Sequence, residues 1–116
     1  MLFADIKGFT AFSEGKTPRE VVEMLSKLFT SFDQQCSEAE LYKLYTIGDC
    51  YVVMSFVDKF NRRSIEDEAL DVVNLAIRMI DNISETRDKL NLDISLRIGI
   101  HTVNFILFFR EIYLEA

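Results

Sequence analysis

Apolar positions change their period along this chain, and each change marks the edge of an element. Residues 1–6 (MLFADI) form a short apolar run around Asp5, and Lys7-Gly8-Phe9-Thr10 follows with the glycine that a tight strand-to-helix turn favours. This predicts a strand, then a turn. Thr17, Pro18 and Glu20 stand as the N-cap, the first helical residue and the acid of a capping box. Val21, Val22, Leu25, Leu28, Phe29 and Phe32 then recur at helical spacing, predicting an amphipathic helix. Residues 41–47 (LYKLYTI) and 50–56 (CYVVMSF) are β-branched and aromatic runs separated by Gly48-Asp49, a two-residue hairpin signature that puts Asp49 at the tip. Ser64 is suited to cap a second helix, whose stripe Ile65, Ala69, Val72, Ala76, Ile80 and Ile83 runs on toward Lys89. Residues 92–101 (LDISLRIGIH) alternate strictly, with Leu92, Ile94, Leu96, Ile98 and Ile100 on one face and Asp93, Ser95, Arg97, Gly99 and His101 on the other.

The order strand, helix, hairpin, helix, strand predicts an α+β fold of ferredoxin-like βαββαβ type, a mostly antiparallel sheet with two helices on one face. After His101 the pattern fails. Residues 103–116 (VNFILFFREIYLEA) are too apolar for a loop and too short for a domain, and their sequence leaves strand and helix equally open.

Composition narrows the classes of function. With 49% hydrophobic residues, 116 residues are enough to bury one core. A formal net charge of −6 provides no basic footprint, so no nucleic-acid partner is expected. No apolar run reaches the roughly 20 residues that span a bilayer, and the first residues lack the charged and small-residue features of a signal peptide. No membrane span is therefore expected in this chain. Cys36 and Cys50 form neither a disulfide framework nor a CxxC pair, which fits a reducing, cytoplasmic setting, including the cytoplasmic side of a membrane-bound parent.

Candidate chemistry lies at the strand ends. In a ferredoxin-like sheet the first strand neighbours the hairpin, so Asp5 and the tip residue Asp49 converge. Unit charges about 4 Å apart repel by roughly 4 kcal/mol at an effective dielectric near 20, which calls for a proton, a basic partner or a metal between them. Magnesium suits such a pair when the substrate is a nucleoside triphosphate, because it takes one or two carboxylates plus phosphate oxygens and water. The turn from Ile6 to Thr10 presents backbone N–H groups at the start of a helical segment, and Arg97 carries a fork of donors for a phosphate. Each residue alone has a plainer reading: a strand-end or turn aspartate, and an arginine in a surface ion pair. The spacing of the whole set is what points to a site. His101 reads as a structural residue on a half-buried face and Cys50 as a core thiol.

FADIKGFT, LYTIGDCY and LRIGIHT closely resemble three consecutive motifs of the class III adenylyl and guanylyl cyclases, over residues 1 to 102. By that resemblance Asp5 and Asp49 match the two metal-binding aspartates, for two Mg2+ or Mn2+ ions, and Ile6 matches a backbone carbonyl ligand. Gly8, Phe9 and Thr10 match the turn that holds the triphosphate of ATP or GTP, and Arg97 matches a phosphate-contacting arginine. The implied reaction is conversion of the triphosphate to a 3′,5′-cyclic nucleotide and pyrophosphate in signal transduction, at the interface with a second cyclase domain in a homo- or heterodimer. Three departures from the family pattern stand out. Tyr45, at the purine-selecting position, fits neither the adenylyl nor the guanylyl pattern. Val103 replaces the glycine that begins a glycine-rich turn, so residues 1–102 read as a partial catalytic domain and 103–116 as a divergent tail. The family's transition-state Asn and Arg have no counterpart, since Asn104 and Arg110 do not stand at matching positions. The expectation is a metal-carrying half that is inactive alone; the alternative is a non-catalytic cyclase-like dimerisation or regulatory module. A GGDEF-like enzyme is disfavoured by the residues flanking Gly48-Asp49.

Overall fold

A computed structural model of the chain describes residues 1–55, 64–103 and 109–115, with side chains through Thr102. The elements are β1 (Leu2–Lys7), a short α1 (Phe9–Ser13), α2 (Pro18–Glu38), β2 (Tyr42–Ile47), β3 (Cys50–Met54), α3 (Ile65–Leu90), β4 (Ser95–Val103) and β5 (Phe109–Glu115). They build one sheet in the order β2-β3-β1-β4-β5, with every ladder antiparallel. The first four strands have the ferredoxin-like order expected from the sequence. Phe109–Glu115, in the stretch the sequence left open, is a strand on the outer edge of β4. Phe56, expected at the end of β3, lies outside the described residues. Among the described residues, no helix is long and apolar enough to cross a membrane.

Local signals set the helix starts. Thr17 and Glu20 form the reciprocal capping box, with Thr17 Oγ1 accepting from the Glu20 N–H at 3.3 Å and Glu20 Oε2 accepting from the Thr17 N–H at 2.7 Å. Ser64 accepts from the Asp67 N–H at the start of α3, where Glu66, Asp67 and Glu68 also oppose the positive end of the helix dipole.

Strand alternation then divides the sheet into two faces. Leu2, Ala4 and Ile6 of β1 lie beside Val53 and Tyr51 of β3 and Ile100, Ile98 and Leu96 of β4, all in one buried cluster. Onto that face α2 packs Leu28 and Phe32, and α3 packs Val72, Leu75, Ala76, Met79 and Ile83. Full burial of each large apolar side chain contributes about 1.5–3 kcal/mol, so this layer is the main source of stability. The seam of each helix differs from the expected stripe. On α2 it runs Met24, Leu28, Phe32, Cys36, while Val22 is 63% exposed because two residues rotate a side chain to the far side of the helix. On α3 the seam gains Leu75 and Met79, at i+3 and i+7 from Val72, whereas Ile65 and Ala69 in the first turns remain exposed.

Phe3, Asp5, Cys50, Val52, Arg97, Gly99 and His101 share the other face of the sheet. Cys50 is consequently no core thiol: it is half-buried opposite Asp5, one residue out of phase with the buried Tyr51. The core thiol is Cys36, which donates to the Leu41 carbonyl. His101 is half-buried with its ring edge-on to Phe3 at 5.6 Å, and its main chain exchanges hydrogen bonds with Met1.

Candidate active site

β1 is flanked on both sides, and its register decides what surrounds Asp5. Across one ladder Asp5 faces Cys50, and across the other it faces Arg97. The Arg97 Nη2 donates to Asp5 Oδ2. Direct neighbours across an antiparallel pair stand about 4.5–5.5 Å apart at Cβ, so both side chains reach Asp5 from the same face.

The hairpin brings the second acid. Ile47 and Cys50 are cross-strand partners, leaving Gly48 and Asp49 as the two-residue turn, with Gly48 at φ +56°. The turn hangs just beyond the Asp5–Cys50 pair that ends the β1–β3 ladder. Asp49 is thereby placed next to the Asp5 end of β1, close enough for the two carboxyls to influence each other. Burial and then the charge and hydrogen bonding of Asp5 push the Asp49 carboxyl above its ordinary range, against its own backbone N–H and Arg97. Burial, with the same two acids, also pushes the Cys50 thiol up, so Cys50 contributes a neutral S–H.

Ile6 lies one residue past the end of the β1–β3 ladder, and its side chain is buried in the core, which leaves only its backbone for the site. Gly8 follows at φ +84° as the N-cap of α1, and a Cβ there would come within 2.4 Å of the Asp93 carbonyl oxygen. The glycine is thus required by packing whatever the turn binds. Among the described residues, no side chain caps the start of α1. Phe9 packs inward beside Phe12, their centroids 6.4 Å apart, and offers the site only its backbone; Thr10 is exposed.

The sequence-predicted residues therefore gather at one end of the sheet, and Arg97 sits in the surface ion pair of its plainer reading, with Asp5 as the partner. Nothing in the sequence sets that register. Two further features escaped sequence reading. A bulge between Lys43 and Tyr45 makes Leu44 an extra residue in β2. It sends Lys43 to the helix-covered face, beside Val53, and Tyr45 to the Asp5 face, beside Val52. Asp33 of α2 binds both Lys43 and Tyr51, a network whose members lie far apart in the chain.

Chemically, Asp5, Asp49 and Arg97 put two carboxyls and one guanidinium at this end of the sheet. Among the described residues, no group of three or more His, Cys, Asp or Glu side chains converges as a metal cage. Such a sparse donor set suits an ion that keeps water and substrate oxygens in its shell, as magnesium does.

Residues 1–107 match the Adenylate and Guanylate cyclase catalytic domain family. The chain is 38% identical over 102 residues to the rat (Rattus norvegicus) guanylate cyclase soluble subunit alpha-1, covering 88% of this chain and 14% of that protein. It is 42% identical over 106 residues to a guanylate cyclase of Toxoplasma gondii, covering 86% of this chain and 2% of that protein. The chain thus spans a small part of the curated relatives it matches. Its fold is shared with the guanylate cyclase domain of RhGC from Catenaria anguillulae, solved in complex with GTP, at a TM-score of 0.69 and 25% identity over 97% of this chain and 63% of that one. Motifs, fold and relatives agree, and the chain belongs to the adenylate and guanylate cyclase catalytic domain family.

Proposed function

We propose that this chain is the metal-carrying half of a nucleotide cyclase site, which converts a nucleoside triphosphate to a 3′,5′-cyclic nucleotide and pyrophosphate for signal transduction. The observation that carries the reading is that the Gly48-Asp49 turn adjoins Asp5 at the end of the β1–β3 ladder. Asp5, Asp49 and the Ile6 carbonyl would hold two Mg2+ or Mn2+ ions. Bound there, the ions would supply Lewis acidity to the triphosphate and to the attacking ribose hydroxyl.

The chain's own residues do the orienting. Backbone N–H groups of the Gly8-Phe9-Thr10 turn face the phosphates as donors. Arg97 has five N–H donors, so it can hold Asp5 with one edge and a phosphate with the other. Tyr45, turned to the Asp5 face by the bulge, stands where the family selects its base. The similarity to proteins named guanylate cyclases favours GTP as the first nucleotide to test. A second cyclase domain, identical or different, would complete the site across a dimer interface, as membership of the cyclase catalytic domain family implies.

The deciding experiment is Mn2+-dependent binding of a non-cyclisable GTP analogue, followed by isothermal titration. Asp5→Ala and Asp49→Ala should each abolish it while far-UV circular dichroism and cooperative unfolding persist. Unchanged binding in both variants would reject the metal assignment, and unfolding of both would return the aspartates to a structural role.

A further inference from the structure

β2 is an edge strand with all six residues exposed, so it adds little apolar packing to the core. Yet it forms one arm of the hairpin that carries Asp49. Besides the hydrogen bonds of Leu41 to Cys36 just before the strand, a carboxylate on α2 ties this arm to the helix layer. Asp33 Oδ1 accepts from the Lys43 ammonium of β2 at 2.8 Å and from the Tyr51 hydroxyl of β3 at 2.6 Å. One oxygen thereby holds both arms of the same hairpin. Lys43 Nζ also stands 5.1 Å from the centroid of the Tyr51 ring, so the two donors are bound to each other as well.

Each corner of this triangle is fixed from outside. Tyr51 is fully buried, with its ring edge-on to Phe32 and tilted against Phe29. Burial and the bond to Asp33 push its phenol up, so it remains a donor throughout the working range. Lys43 reaches α2 only because of the bulge at Leu44, which separates its face from that of Tyr45 and Ile47. With regular alternation, Lys43, Tyr45 and Ile47 would share one face. The insertion thus lets a single strand send Lys43 to the helix layer and Tyr45 to the site.

We propose that Asp33, Lys43 and Tyr51 are positioning residues of the cyclase site: their clamp fixes both arms of the β2–β3 hairpin on α2 and so sets the Asp49 carboxylate against Asp5. The inference deepens the metal-site reading above and rests on it. Tyr51 is two residues from Asp49, so displacement of that arm carries directly to the tip.

The test compares Lys43→Met, Tyr51→Phe and Asp33→Asn in the 116-residue chain with Glu38→Gln, which breaks a pair between α2 and Arg78 of α3 outside the hairpin. Two quantities are measured: the Mn2+ dissociation constant, and amide hydrogen exchange at residues 48–51 relative to β4. Each clamp variant should weaken Mn2+ binding by about 3- to 10-fold and speed exchange at the tip. Lys43→Arg, which keeps the charge, should restore most of both, and Glu38→Gln should move neither. Folded clamp variants with wild-type Mn2+ affinity, or with wild-type exchange at the tip, would overturn the proposal. If the unaltered chain binds no Mn2+, the metal-site reading fails, and tip exchange then judges the clamp by itself. Tyr51→Phe removes one oxygen and keeps the ring packing, so it remains informative if a harsher variant does not fold.

Discussion

Asp5 and Arg97 are direct cross-strand partners on β1 and β4, and the guanidinium donates to the carboxylate. One of the two site acids is therefore partly neutralised in the absence of any ion. The Asp5 side chain is 36% and the Arg97 side chain 53% exposed, so solvent screening limits the pair to about 1 kcal/mol or less of stability. If the proposed site holds metal and triphosphate, the pair bears mainly on ligand binding. Replacing Arg97 with Met should strengthen nucleotide-free Mn2+ binding by about 2- to 5-fold, because a competing cation leaves Asp5. The same change should weaken binding of the Mn2+–GTP-analogue complex by about 10-fold, through loss of a charge-assisted phosphate contact. Isothermal titration of both ligands checks the opposite signs; equal weakening of both would show that Arg97 only holds the fold.

Asp49 offers a stability test without nucleotide. Its carboxyl is pushed up by burial and by Asp5, so ionising it works against the fold. Asp49→Asn keeps the shape and removes the charge. In buffer containing a chelator the variant should melt about 2–5 °C above wild type, and it should lose Mn2+ binding. A lower melting temperature would mean that the charge serves the hairpin itself.

Gly8 and Gly15 both have positive φ, +84° and +76°, but they differ in space. A methyl group at Gly8 meets the Asp93 carbonyl, whereas nothing lies within 4 Å of one at Gly15. Gly15→Ala should cost about 1 kcal/mol for its backbone conformation alone. Gly8→Ala should cost about 3 kcal/mol or more, since β1, α1 and the segment before β4 must separate. Urea unfolding of the two variants measures the difference, and equal losses would contradict the close approach of Gly8 to Asp93.

The clamp predicts an acid sensitivity. Burial alone would raise the Asp33 carboxyl, but hydrogen bonds from Lys43 and Tyr51 and the Lys43 charge hold it below its ordinary range. A depressed folded-state value means that the unfolded chain takes up the proton first. This part of the stability is present above the ordinary aspartate value of about 3.9 and is lost as pH falls through the lower folded value. Lys43→Met removes much of that depression. Its urea midpoint should fall less than that of wild type between about pH 5 and pH 3. Parallel acid profiles would show that Lys43 does not govern Asp33.

What the sequence determined by itself is what depends on neighbours in the chain. Thr17-Pro18-Arg19-Glu20 specified the start of α2 because a capping box closes within four residues. Gly48-Asp49 specified the hairpin tip, and the alternation of residues 92–101 specified which side of β4 is apolar, so Arg97 was correctly turned away from the core. The motifs around Asp5, Asp49 and Arg97 were also legible, since each is contiguous. Tertiary structure decided everything that depends on register between distant segments. It placed Arg97 opposite Asp5, 92 residues away, and Cys50 beside the acids rather than in the core. It gave α3 a seam through Leu75 and Met79, and it paired Phe109–Glu115 with β4, an outcome that composition left open. The bulge at Leu44 shows the reason most sharply. Strand period is two, so one extra residue reverses every later side chain, and only the pairing of β2 with β3 reveals where that residue is inserted.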